Sequence, residues 1–246
     1  MAGNYYRLKE EITDAAEQRA LDYLEGSVLH NIDMIEPIRR KTTDIIYAQE
    51  DGVVLKELNG NVYMFAMSNI KKSIQILEKL KDVTMLTVHE KEFADYIKTN
   101  YNFNESLVLY NFAKLDKEPF AIQTELTFRN LRPEECDVVY EYYNVLEKEE
   151  LMRIIQNGNL YGAFLNGTLI GFAGEHLEGS LGLLEILPAY RRKGYAMDLE
   201  AYIANQMMER GGVPFGQVVV DNNNSMQLQK KIGLPRSEKA VYWFFQ

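Results

Sequence analysis

The sequence predicts an α/β protein built as two tandem lobes, and three observations carry that reading. The spacing of apolar residues gives one order of elements twice over, two helical stretches and then βββαβαβ. Each half turns its strands with hairpin dipeptides, Asp51-Gly52 and Asn59-Gly60 in the first and Asn166-Gly167 in the second. Residues 181–210 read as strand, cationic turn and helix, while the matching place in the first half, Ser68-Asn69-Ile70-Lys71-Lys72-Ser73, has no glycine. Two unrelated α/β domains in tandem are the competing reading.

In the first lobe, residues 4–26 and 28–41 have helical spacing, with Pro37 set to kink or restart the second helix. Three short β-rich runs follow at 44–49, 52–58 and 61–67. Ile70, Ile74, Leu77 and Leu80 then make 69–81 an amphipathic helix, before a strand at 83–88, a helix at 91–100 and a strand at 106–112. Lys117-Glu118-Pro119 marks a linker over 114–123, which divides the chain into a first lobe of residues 1–122 and a second of 123–246. There, Arg132-Pro133 opens a helix to 146, a second spans 148–156, and strands at 160–165 and 168–176 form a hairpin. The strand at 181–187 stops before Pro188, which cannot donate to a ladder. Ala196, Leu199, Ile203 and Met207 set a helix that Gly211-Gly212 ends, followed by a strand at 217–221, a helix at 224–232 and a strand at 238–245.

A net charge of −9 and a pI near 5.0 argue against nonspecific nucleic-acid binding, which needs a dominant basic face. No apolar run reaches 18 residues and the amino-terminal residues have no apolar core of a leader, so we expect a cytoplasmic protein without membrane contact. Cys136 is the single cysteine, which excludes an intrachain disulfide and a thiolate-rich metal site. No metal is expected.

Between strand and helix lie Arg191, Arg192, Lys193 and Gly194, then Tyr195 and Ala196. A helix N-terminus with free N–H groups, a glycine allowing close approach and three cations make an anion site of pyrophosphate size; a solvated basic triplet is the plain alternative. Arg191 to Ala196 resembles the Q/R-x-x-G-x-G/A signature of the GNAT superfamily of acyl-CoA-dependent N-acetyltransferases. Asn222 to Gly233 is similar to that family's second cofactor segment, and His176 to Gly182 resembles the turn before the cofactor strand in its glycine N-acyltransferase-like branch. The resemblance implies two tandem GNAT-like lobes, each a mixed, mostly antiparallel sheet flanked by helices, the first of them degenerate. It also implies acetyl-CoA as acyl donor, with Arg191, Arg192, Lys193, Gly194, Tyr195, Ala196, Asn222 and Ser225 at cofactor-contacting positions.

Acyl transfer to an amine needs an oxyanion donor and a base. The N–H groups of Ile186 and Leu187, released where the strand ends, are the candidate donors. Glu185, a carboxylate in an apolar strand, is a candidate base; a Glu reaching a neighbouring Arg is the plain alternative. His176 is the rival base, Glu175 the third, and His30 and His89 read as structural. Many family members carry a tyrosine acid four residues before the helix-ending glycine, where this chain has Gln229. Asn224 reads as a helix cap. The function expected is N-acyl, most simply N-acetyl, transfer from acetyl-CoA to a small-molecule primary amine or amino acid by direct attack, in a monomer or homodimer. A nonenzymatic acyl-CoA-binding or sensing protein is the alternative; a nucleotide-phosphate binder lacks its longer glycine-rich loop.

Overall fold

The structure, a computed structural model, describes residues 14–246. The expected start of the first helix, residues 4–13, lies outside them. In chain order the elements are helical residues 14–24 (α1), α2 (Val28–Arg39), β1 (Thr43–Gln49), β2 (Gly52–Glu57), β3 (Val62–Met67), α3 (Ile70–Leu77), β4 (Met85–Val88), α4 (Lys91–Asn100) and β5 (Glu105–Ala113). Then come β6 (Thr127–Asn130), α5 (Cys136–Tyr142), α6 (Lys148–Gln156), β7 (Leu160–Leu165), β8 (Thr168–Glu175), β9 (Leu181–Ile186), α7 (Tyr195–Glu209), β10 (Phe215–Val219), α8 (Asn223–Ile232) and β11 (Val241–Phe245). The order βββαβαβ recurs, as β1 to β5 and again as β7 to β11.

Two compact units form, and they interleave in sequence. Among the described residues, those up to Asn111 with 218–221 and 236–246 make the first, and 112–217 with 222–235 make the second. A cut at residue 122 therefore does not describe the packing: β11, last in the chain, pairs antiparallel with both β4 and β5 of the first unit. Its period-2 pattern explains why it is buried there, since Val241 and Trp243 enter one core while Phe244 enters the core on the other face.

In the first unit β1, β2 and β3 form an antiparallel meander, and β3 runs parallel to β4. Residues 30–38 of α2 are buried throughout, polar ones included. Asn31 Nδ2 donates to Leu24 O at 2.9 Å, and its Oδ1 lies 2.9 Å from His89 Nδ1. Asp33 meets His89 Nε2 at 3.1 Å and Asn111 Nδ2 at 2.9 Å. These bonds tie α2 to β4 and β5, the condition for burying such groups. Burial, and then the His89 ring 4.9 Å away, push His30 down to about 4, so it is neutral at physiological pH.

In the second unit β6, β7, β8 and β9 are antiparallel neighbours and β9 is parallel to β10. α7 packs on one face through Leu199, Ile203 and Met207, and α5 and α6 cover the other through Val139, Leu151 and Ile154. β6 is not evident from the sequence, because Thr127-Phe128-Arg129-Asn130 has one apolar residue in four and gains its order by pairing with β7. The helix expected over 133–146 is a 3-10 turn, Pro133–Glu135, followed by the two turns of α5. Tyr143 leaves the helix at φ −137°, ahead of Asn144 and β-branched Val145, both weak helix formers.

Candidate active site

β9 carries one extra residue. Gly182 pairs with Gly174 and Glu185 with Phe172, so three steps on β9 oppose two on β8. Leu183 absorbs the surplus at φ 55°, a left-handed backbone uncommon outside glycine and found at bulges that re-aim a strand. Side-chain parity flips there: Leu181 packs toward α7, Leu183 toward α5 and α6, and Leu184 and Ile186 toward α7 again.

On its other side β9 pairs with β10 only through Leu181 and Gly216. Leu187 N–H donates to Ile170 O at 2.8 Å, so the Leu187 donor expected from sequence is already committed to β8. The carbonyl of the same peptide, that of Ile186, points the opposite way and accepts from Arg191 Nε at 2.8 Å. In an extended residue N–H and C=O share an edge, so the N–H groups of Ile186 and, two residues earlier, Leu184 face the edge that β10 leaves unpaired.

Past Pro188 a 3-10 turn, Pro188–Tyr190, leads to Arg191. Arg192 (φ 65°) and Gly194 (φ 91°) both adopt the left-handed region, and Gly194 is the N-cap of α7 with no side chain closing it. Among the described residues the N–H groups of Gly194, Tyr195 and Ala196 have no protein acceptor, and nothing lies within 4 Å of where a Gly194 Cβ would stand. Arg192 and Lys193 are exposed; Lys193 Nζ stands 5.7 Å from the centre of the Tyr190 ring. The Tyr195 hydroxyl donates to Glu125 Oε1 at 2.9 Å, and that bond, before burial, raises its pKa. An uncapped helix N-terminus beside two free cations fits a multivalent anion.

The remaining candidates divide. Glu185 Oε1 lies 2.7 Å from Arg191 Nη2, so the carboxylate expected as base is engaged by a cation from the turn. Glu175, buried, is paired with Arg210. The His176 ring packs against Gly182, where any Cβ would strike it, and among the described residues its ring nitrogens have no hydrogen-bond partner. Asn222, not Asn224, caps α8: its Oδ1 accepts from Ser225 N at 3.1 Å, so the Asn222 side chain expected at a cofactor-contacting position is engaged by the helix start. Gln229 Nε2 donates to Glu200 Oε1 at 2.6 Å.

Sequence reasoning missed three features. The Leu183 bulge leaves no compositional trace. Glu200 was legible, as a carboxylate four residues after Ala196 and three before Ile203, inside the apolar stripe of α7. Tyr143 stands edge-on to Phe172, the cross-strand partner of Glu185, with ring centres 6.5 Å apart; burial first, then Glu150 and Glu185, raise its pKa. Among the described residues no group of His, Cys, Asp and Glu is arranged to hold a metal.

Residues 161–244, from β7 to β11, match the family model described as FR47-like protein. No curated protein matches the chain. Solved structures resemble it over both halves. A Drosophila protein from structural genomics is 14% identical over 96% of each chain, with a TM-score of 0.72. A GCN5-related N-acetyltransferase from Kribbella flavida is 13% identical over 89% of this chain and 96% of its own, at 0.59. A GCN5-related N-acetyltransferase-like protein from Streptococcus suis is 12% identical over 95% and 100%, at 0.56.

Proposed function

From a chain that belongs by its fold to the GNAT superfamily, with an FR47-like segment in its second half, we propose an acyl-CoA-dependent N-acetyltransferase that moves an acetyl group from acetyl-CoA to a primary amine of a small molecule or amino acid. One observation carries the reading: β9 is bulged and, beyond Leu181, unpaired along one edge, and it runs into an uncapped, cationic helix N-terminus. Acetyl-CoA supplies a thioester at one end of an extended arm and a diphosphate at the other. The N–H groups of Gly194, Tyr195 and Ala196, with the Arg192 and Lys193 side chains, receive the diphosphate. The Ile186 N–H holds the arm, and the Leu184 N–H, beside the bulge, donates to the acyl carbonyl as charge develops on it.

The acyl end then lies along Gly182 to Leu184, two to four residues back from the strand's close at Ile186, or about 7–13 Å at a rise of about 3.3 Å per residue. His176 packs on that stretch, which favours it over Glu185 as the base that takes the amine proton. The first lobe serves as a relative without a site, and Cys136, buried and unpaired, suits a reducing cytoplasm. Thiol release from acetyl-CoA over a panel of amines and amino acids tests the proposal. Turnover with at least one acceptor is expected; tight donor binding with no turnover on any would leave a sensing protein in its place.

A further inference from the structure

The three cations of the turn do not share one task. Arg191 is folded back on β9, where Nε donates to Ile186 O at 2.8 Å and Nη2 meets Glu185 Oε1 at 2.7 Å. One planar guanidinium thus grips two successive residues of the strand, a double contact that the single ammonium of lysine cannot reproduce. The residue gripped through its carbonyl, Ile186, is the later of the two whose N–H groups face the unpaired edge. All three cations are exposed, Arg191 through 53% of its side chain, and the contrast lies in bonding: Arg192 is bonded to no described residue, and Lys193 only stands over the Tyr190 ring.

We propose that Arg191 is a positioning residue: with Glu185 orienting it, it braces the free edge of β9 and sets the Ile186 N–H, while Arg192 and Lys193 are left to the phosphates of the donor. This deepens the acyltransferase reading and rests on it for its kinetic consequence, though the brace itself belongs to the free protein. It also gives Glu185 a purpose other than proton abstraction. Without the guanidinium, the strand end beyond Ile186 keeps only its β8 side, the Leu187 bond to Ile170.

Two donors separate a brace from a phosphate ligand: acetyl-CoA, and the acetyl thioester of N-acetylcysteamine, which has no phosphate. Arg191→Ala is expected to lower kcat with both by a similar factor, roughly 10- to 100-fold, the range for losing hydrogen bonds to a charged group. Arg191→Lys, which keeps the charge and the fold, should fall nearly as far, and free guanidinium should partly restore the alanine variant. Arg192→Ala and Lys193→Ala should raise KM for acetyl-CoA alone. A defect of Arg191→Ala confined to acetyl-CoA would make Arg191 a phosphate ligand, and unchanged or improved turnover of the short donor would remove the brace. Hydrogen exchange on the free protein decides the matter independently of turnover. The Leu187 amide, which donates to Ile170 O at the braced strand end, should exchange faster in Arg191→Ala and Glu185→Ala but not in Arg192→Ala. Equal protection in all three overturns the proposal, whereas faster exchange with no turnover of either donor by the wild type removes only the acyltransferase reading.

Discussion

Glu200 on α7 accepts a 2.6 Å hydrogen bond at Oε1 from Gln229 Nε2 on α8, with both side chains buried and Glu200 Oε2 lacking a partner among the described residues. Burial raises the Glu200 carboxyl from 4.5 to about 7, against the smaller opposing effect of the Gln229 bond. An acid whose folded value exceeds its unfolded one holds its proton more tightly in the fold. Stability is therefore fullest below about pH 4.5, falls as pH rises to about 7, and is level above; the whole span is worth up to roughly 3 kcal/mol. Glu200→Gln, which mimics the neutral acid, should flatten this slope. Urea denaturation of both proteins at intervals from pH 5 to 8 checks it, and parallel profiles would show that Glu200 does not titrate with folding.

Gly194 combines φ 91° with open space around its missing Cβ. Gly194→Ala should cost about 1–2 kcal/mol of stability from the left-handed backbone alone. Gly194→Glu should fold comparably yet lose acetyl-CoA binding, because it sets a carboxylate at the α7 N-terminus where the diphosphate is proposed to lie. Titration calorimetry at unchanged affinity would take the turn out of the site.

His176 and Gly182 are coupled by contact. His176→Ala should lower kcat by about 10²–10⁴-fold, the usual range for a lost general base, with little effect on acetyl-CoA affinity. Gly182→Ala should reproduce part of the loss, since the new methyl group displaces the ring. Normal kcat in His176→Ala would return the base to an unassigned residue.

The first unit repeats the parallel pair without its gap. β3 and β4 pair through Phe65 and Val88, and His89 N then donates to Phe65 O at 2.9 Å, so the edge that β9 leaves open is closed here. The N-terminus of α3 is also closed, by Asn69 Oδ1 accepting from Lys72 N at 3.2 Å. We expect one acetyl-CoA per chain, and a titration ending at two would contradict it.

Local sequence determined the elements and the turn that carries the proposed function. Periodicity located α4 and α6 at their observed bounds, and Gly194 after three cations marked the helix N-terminus, because turn geometry and helix spacing depend on neighbours a few residues apart. Asn222 and Asn224 show the limit of such reading: both are capping residues, and only the backbone at the helix start chose between them. Tertiary structure decided what depends on partners distant in the chain. It set β11 between β4 and β5, gave β6 its order through β7, and opposed two residues of β9, Leu183 and Leu184, to Ala173 of β8. It also set Arg191 against Glu185, because the backbone path from Pro188 to Arg191 brings that cation back onto the strand.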